Sequence, residues 1–131
     1  MKETEKLVVP DLSLGKIQEL CDNFKAYENF ESSNELFILA MKEIVKWHID
    51  HSDFYQKLSQ DLKFNLDDIK SIEDLVKIPH LWAHFFKSHE ILSVEREKIF
   101  LHLTSSGTTG QKSQIFFDEW TIQSAQKMVD S

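Results

Sequence analysis

The chain of 131 residues is short of the residues that would give it a simple label. It has one cysteine, two prolines and three glycines. Cys21 alone cannot form an internal disulfide, which fits a reducing compartment and argues against a disulfide-built secreted scaffold. No apolar run reaches the length of a membrane span. The start, Met1-Lys2-Glu3-Thr4-Glu5-Lys6, carries both signs of charge with no long apolar run behind it, so a conventional signal peptide is not expected. A basic excess is missing too: 15 Lys and Arg face 22 Asp and Glu, for a net charge of −7. The imbalance sits in residues 1–79, with ten lysines against sixteen acidic residues, while residues 80–131 carry five basic and six acidic. Nucleic acid and anionic membrane are poor partners for such a surface. A cytoplasmic protein that does not insert in a membrane is the expectation.

What is present is a core: 41% of residues are apolar and ten are phenylalanine, enough for one modest domain. Residues 1–12 read as an extended lead closed by Pro10. Ile17, Leu20, Cys21 and Phe24 then fall at helical spacing. Ser32-Ser33-Asn34 reads as an interruption that supplies cap candidates, followed by a helix with Phe37, Ala40, Met41, Ile44, Val45 and His48 along one face. Ser52 or Asp53 suits the cap of a short helix carrying Phe54, Tyr55 and Leu58. Ser71-Ile72-Glu73-Asp74 resembles a capping box, and Pro79 ends that turn. His80–Phe86 is aromatic-rich and reads as a short helix or turn. The texture changes at Phe100-Leu101-His102-Leu103, which looks like a buried strand, and Gln114–Phe117 looks like a second. Asp118 is placed to cap a closing helix through Ile122, Ala125, Gln126 and Val129. The expected fold class is α+β: a helical region over 13–90, a β-hairpin with its loop over 98–117, and a helix over 118–131.

Two of the three glycines fall in Thr104-Ser105-Ser106-Gly107-Thr108-Thr109-Gly110-Gln111-Lys112-Ser113. Small residues let a backbone turn tightly and aim N–H groups at an anion. Lys112 is the only charged residue between Thr104 and Phe117. A Walker A loop needs G-x-x-x-x-G-K-[ST] between a strand and a helix. Here Ser106 and Gln111 stand at the two glycine positions, and a strand follows. A plain Ser/Thr/Gly hairpin loop is the bland alternative.

The ten residues 104–113 resemble the phosphate loop of the adenylate-forming superfamily, and within it the LuxE-type acyl-protein synthetases, through the pattern TSSGTxGxKS. Trp47-His48 followed by Tyr55, Ile78-Pro79 leading to Phe86-Lys87, and an aromatic strand before the loop agree, so the likeness spans about 35–131. The resemblance implies a ligase that joins a fatty acid or other carboxylic acid to AMP using ATP and Mg²⁺. The acyl group would pass to an enzyme cysteine and then to a partner of the acyl-CoA-reductase type. It implies nucleotide-phosphate contacts from Thr104, Ser105, Ser106, Gly107, Thr108, Thr109, Gly110, Lys112 and Ser113, with Lys112 the catalytic charge beside the departing pyrophosphate. Cys21 does not match the acceptor cysteine. The chain reads as the incomplete N-terminal part of such a large domain, inactive by itself. A phenylacetate-CoA-ligase-like enzyme, with coenzyme A as acceptor, shares the loop style. A non-catalytic helical module that binds a partner protein stands as the alternative from another class.

Other clusters are weaker. His80 and His84 lie at i, i+4, but Leu81 stands where a zinc protease needs Glu, and two ligands are too few. His48 and His51 with Asp50 and Asp53 make a second group, in which His48 reads as packed on its helix. Trp82, Phe85, Phe86, Trp47 and Phe54 could line an acyl channel, though aromatics at this spacing belong more often to a core.

Overall fold

In a computed structural model, residues 12–22, 30–105 and 112–130 are described. The described residues form an α+β arrangement: α1 (Gly15–Asp22), α2 (Phe30–His51), α3 (Asp53–Asp61) and α4 (Phe85–Ser88), then strands β1 (Ile99–Thr104) and β2 (Gln114–Asp118), then α5 (Glu119–Asp130). The expected fold class holds. Between Asp61 and β1 the chain is less helical than the composition suggested. It runs through short 3-10 turns at Leu66–Asp68, Ile72–Lys77 and Arg96–Lys98, with the four residues of α4 as the only α-helix described there.

One expectation is overturned outright. Ser32-Ser33-Asn34 does not interrupt the helix; α2 runs straight through it for 22 residues. Ser and Asn cost only a few tenths of a kcal/mol each in a helix interior, roughly, and packing of the rest of the helix outweighs that. The real break comes at Ser52, a single extended residue (φ −117°, ψ 112°) between α2 and α3. Its buried hydroxyl accepts the Tyr55 N–H at 3.3 Å, so one serine both ends one helix and caps the next.

The core forms where α1 crosses α2. Leu14 and Trp47 are buried together, with Ile17, Ile44 and Trp120 of α5 packed against them. Ala40, Ile44 and Trp47 recur at helical spacing, so the face of α2 that points inward is centred on Trp47. Phe37, expected inside, is exposed. Two N–H groups in the first turn of α1 are satisfied from outside: a single Glu43 oxygen accepts those of Lys16 (2.8 Å) and Ile17 (3.1 Å). Lys127 of α5 meets Asp22 at the other end of α1 (3.5 Å).

Asp74 anchors the turn at Ile72–Lys77. Its carboxylate takes the Lys77 ammonium at 2.8 Å and the N–H groups of Lys70 and Ser71 at 3.0 Å. The lysine first, and the backbone donors after it, hold this carboxyl well below the usual carboxylate range.

Candidate functional site

β1 and β2 pair antiparallel, with Leu101 opposite Phe117, His102 opposite Phe116, Leu103 opposite Ile115 and Thr104 opposite Gln114. Opposed residues share a face, so Leu101, Leu103, Ile115 and Phe117 line one side and His102, Thr104, Gln114 and Phe116 the other. His102 stacks on Phe116 at 4.4 Å between ring centres. The register shifts between Ile99 and Leu101, leaving Phe100 as an extra residue on β1. β1 is not the buried strand that its apolar run suggests. Phe100 is 58% exposed and Leu103 48%, because within the described residues the hairpin has no further strand beside it.

Beyond the Thr104–Gln114 pair the hairpin closes through one more contact. Ser105 N–H donates to the Ser113 carbonyl at 3.0 Å, and the Ser113 N–H donates to Ser105 Oγ, also at 3.0 Å. The Ser105 hydroxyl therefore stands in for a backbone acceptor at the neck. Its own proton remains a donor. Ser106, Gly107, Thr108, Thr109 and Gly110 lie outside the described residues, as does Gln111. Of the nine expected contact residues, the structure describes Thr104, Ser105, Lys112 and Ser113, and brings these four to the mouth of the hairpin. Thr104, Ser105 and Lys112 are exposed there and Ser113 is half-buried.

The chemistry at this mouth suits an anion. Lys112 has no carboxylate within 4.0 Å among the described residues, so its ammonium is not neutralised by them. The Ser105 and Ser113 hydroxyls stand at the same neck, whereas the N–H groups of these two residues are spent on closing it, and no acidic side chain lies between Thr104 and Phe117. Such a donor set fits nucleotide phosphates. A metal fares differently: among the described residues no group of three or more His, Cys, Asp or Glu is placed to hold one. His80 and His84 are both exposed and make no such site.

β2 packs against α4 and both strands pack against α5, and two further ties flank the hairpin. Ser93, six residues before β1, shares a hydrogen bond with His48 Nδ1 at 2.6 Å. Burial first, and then the neighbouring His51, push the His48 imidazole below its ordinary value, so it is neutral near pH 7. His48 also meets the ring of Tyr55 edge-on at 6.2 Å. Tyr55 in turn donates its buried hydroxyl to the Pro79 carbonyl at 2.8 Å. After β2, Asp118 Oδ1 accepts the Thr121 N–H (2.9 Å) and hydroxyl (2.6 Å), which starts α5 and sends Trp120 back to the core. Nothing in the run Leu92-Ser93-Val94 singles out Ser93 in the sequence.

The aromatic residues do not line one channel. Trp47 is in the core and stacks on His51 at 3.5 Å. Phe54 meets Phe85 edge-on at 5.7 Å, whereas Trp82 is 61% exposed and touches only the His80 ring among the aromatic contacts described. For Trp82 the core reading is therefore wrong. Its neighbours Pro79 and the turn at 83–84 carry it outward.

No helix among the described residues is long and apolar enough to cross a membrane. No curated protein and no solved structure matches the chain. The family model for "Acyl-protein synthetase, LuxE" matches residues 16–130, which take in every described α-helix but the first residue of α1, both strands and the hairpin mouth. The chain belongs to the LuxE acyl-protein synthetase family.

Proposed function

We propose that this protein is part of an ATP-dependent ligase that activates a fatty acid or related carboxylic acid as its acyl-AMP. The acyl group then moves to an enzyme cysteine and on to a reductase-type partner protein. ATP enters as its Mg²⁺ complex, and residues 104–113 take its phosphates. Family membership supports the acyl-protein synthetase class. The observation that carries the site is the hairpin mouth: Lys112, without a carboxylate partner among the described residues, stands beside a neck closed by Ser105 and Ser113.

The chemical role of the mouth is electrostatic. When the carboxylate oxygen of the substrate attacks the α-phosphorus, the bond to pyrophosphate breaks and negative charge builds on the leaving group. Lys112 and the hydroxyl and N–H donors of the loop stabilise that charge more than they stabilise the starting triphosphate. Ser105 and Ser113 keep the neck closed beside Lys112.

Isotope exchange between ATP and pyrophosphate on the intact protein tests the first half, and must depend on added carboxylic acid. Labelled fatty acid retained on the denatured protein and released by hydroxylamine tests the transfer to cysteine. Acid-dependent exchange without retained label would instead indicate a soluble acceptor such as coenzyme A.

A further inference from the structure

His48 on α2 holds one leg of the hairpin, and the core cluster that contains its neighbour Trp47 receives the other. The leg that leads into β1 is tied by Ser93 to His48 at 2.6 Å. From Ser93 the chain makes a compact turn: Arg96 pairs with Glu90, and Lys98 N–H donates to the Glu95 carbonyl at 2.9 Å. β1 begins at the next residue, Ile99. The leg that leaves β2 is tied by Trp120, which packs against the Leu14–Trp47 pair only two residues after the strand ends. Both strands then run outward from these ties to Thr104 and Gln114, where the mouth with Lys112 begins.

We infer that His48 is a positioning residue for the phosphate loop: it holds the leg into β1 through Ser93, while Trp120, packed on the Leu14–Trp47 cluster, holds the leg that leaves β2, and together these ties set where the mouth sits relative to the helices. This rests on the phosphate-loop reading of 104–113. A two-stranded hairpin is marginal by itself, so its orientation has to be borrowed from the layer to which it is tied. The His48–Ser93 bond is suited to that task. It is half-buried and links residues 45 positions apart, and the imidazole is neutral, so it ties the leg without bringing a charge into the helical layer. His48 touches no substrate in this scheme; its effect travels through Ser93.

The test uses the intact protein with His48→Phe, which keeps ring volume, His48→Asn, which keeps a polar atom near the Nδ1 position, Ser93→Ala, and the double variant His48→Phe/Ser93→Ala. Two quantities are read: amide hydrogen exchange over 99–105 and 112–118, and the KM for ATP against that for the carboxylic acid. The expected result for His48→Phe and for Ser93→Ala is exchange about tenfold faster in the hairpin, with α1 unchanged, since opening is local. KM for ATP should rise by a similar factor while that for the acid holds. His48→Asn should recover most of both effects. The double variant should be no worse than the worse single, since both members serve one contact.

Unchanged hairpin exchange in both single variants overturns the inference, and so does a uniform rise across all helices, which would mark His48 as a stability residue only. Additive effects in the double variant also overturn it. Lys112→Ala separates this claim from the one on which it rests. Hairpin exchange that responds to His48→Phe, with ATP use indifferent to Lys112→Ala, supports the anchor and overturns the phosphate-loop reading.

Discussion

Glu43, in the middle of α2, caps the start of α1: one carboxylate oxygen accepts the N–H groups of Lys16 and Ile17, at 2.8 and 3.1 Å. The residue before α1 is Leu14, which has no side-chain acceptor and is buried against Trp47. A helix that gives its cap position to the core must find its acceptor elsewhere, and Glu43 is that acceptor. Its negative charge also lies at the favourable end of the α1 dipole.

Removal of this cap has a definite cost. Glu43→Ala should destabilise the protein by about 1 kcal/mol, the usual worth of a helix cap, and Glu43→Gln by less because the amide oxygen still accepts. Urea denaturation followed by circular dichroism measures both. An unchanged midpoint for Glu43→Ala would mean that water replaces the carboxylate at no cost.

Three tryptophans in one chain should respond very differently. Trp47→Ala empties the centre of the core and should cost about 3–5 kcal/mol, whereas Trp82→Ala, on the surface, should stay within about 0.5 kcal/mol. Trp120→Leu, which keeps part of the apolar contact, should fall between them. Thermal melts of the three variants give the ranking directly.

Stability should depend on pH through His48. Its folded-state pKa is depressed, by burial first and the charge of His51 second. The unfolded chain therefore takes up a proton at His48 below about pH 6.5, where the folded chain does not. The His48 contribution is fully present above that pH and is lost as pH falls toward the lower folded-state value. Denaturation midpoints at pH 7.5 and 5.5 should differ in the native sequence, and His48→Asn should shrink the difference. Asp74, whose carboxyl is also depressed, loses its contribution only at more acidic pH, as it passes from the ordinary carboxylate value downward.

At the hairpin mouth the charge and the neck can be separated. Lys112→Ala should lower ATP–pyrophosphate exchange by about two orders of magnitude, the scale of losing one donor to developing charge, with Lys112→Arg retaining part. Gly107→Ala should also cut exchange sharply if the backbone there approaches phosphate. Ser105→Ala removes the acceptor of the Ser113 N–H but no charge. It should speed amide exchange at Ser113 and Gln114 while lowering activity less than Lys112→Ala. Initial-rate exchange and mass-resolved hydrogen exchange read the two effects separately.

Much of the local structure was legible in the residues, because it depends on neighbours three or four positions apart. Ser52 as a helix cap, Asp74 facing Ser71, Asp118 opening α5, and two strands flanking the Ser/Thr/Gly run all follow from such spacing. The resemblance to the LuxE family, noticed on the TSSGTxGxKS pattern, is borne out by a family model that matches residues 16–130.

Other features depend on partners far along the chain, and no local rule could choose among them. Ser32–Asn34 looked like a break and is helix, because α2 is held by its packing and not by its weakest residues. Trp47 and Trp82 sit in equally apolar surroundings in the sequence, yet one is core and the other is exposed. Glu43 reached α1 across 27 positions, and His48 reached Ser93 across 45. Sequence by itself determined the charge, most helix caps and the strand pair, since each arises from composition or short-range sterics. Only tertiary structure decided which residues tie those elements together, because burial and long-range hydrogen bonds exist only once the helices and the hairpin meet.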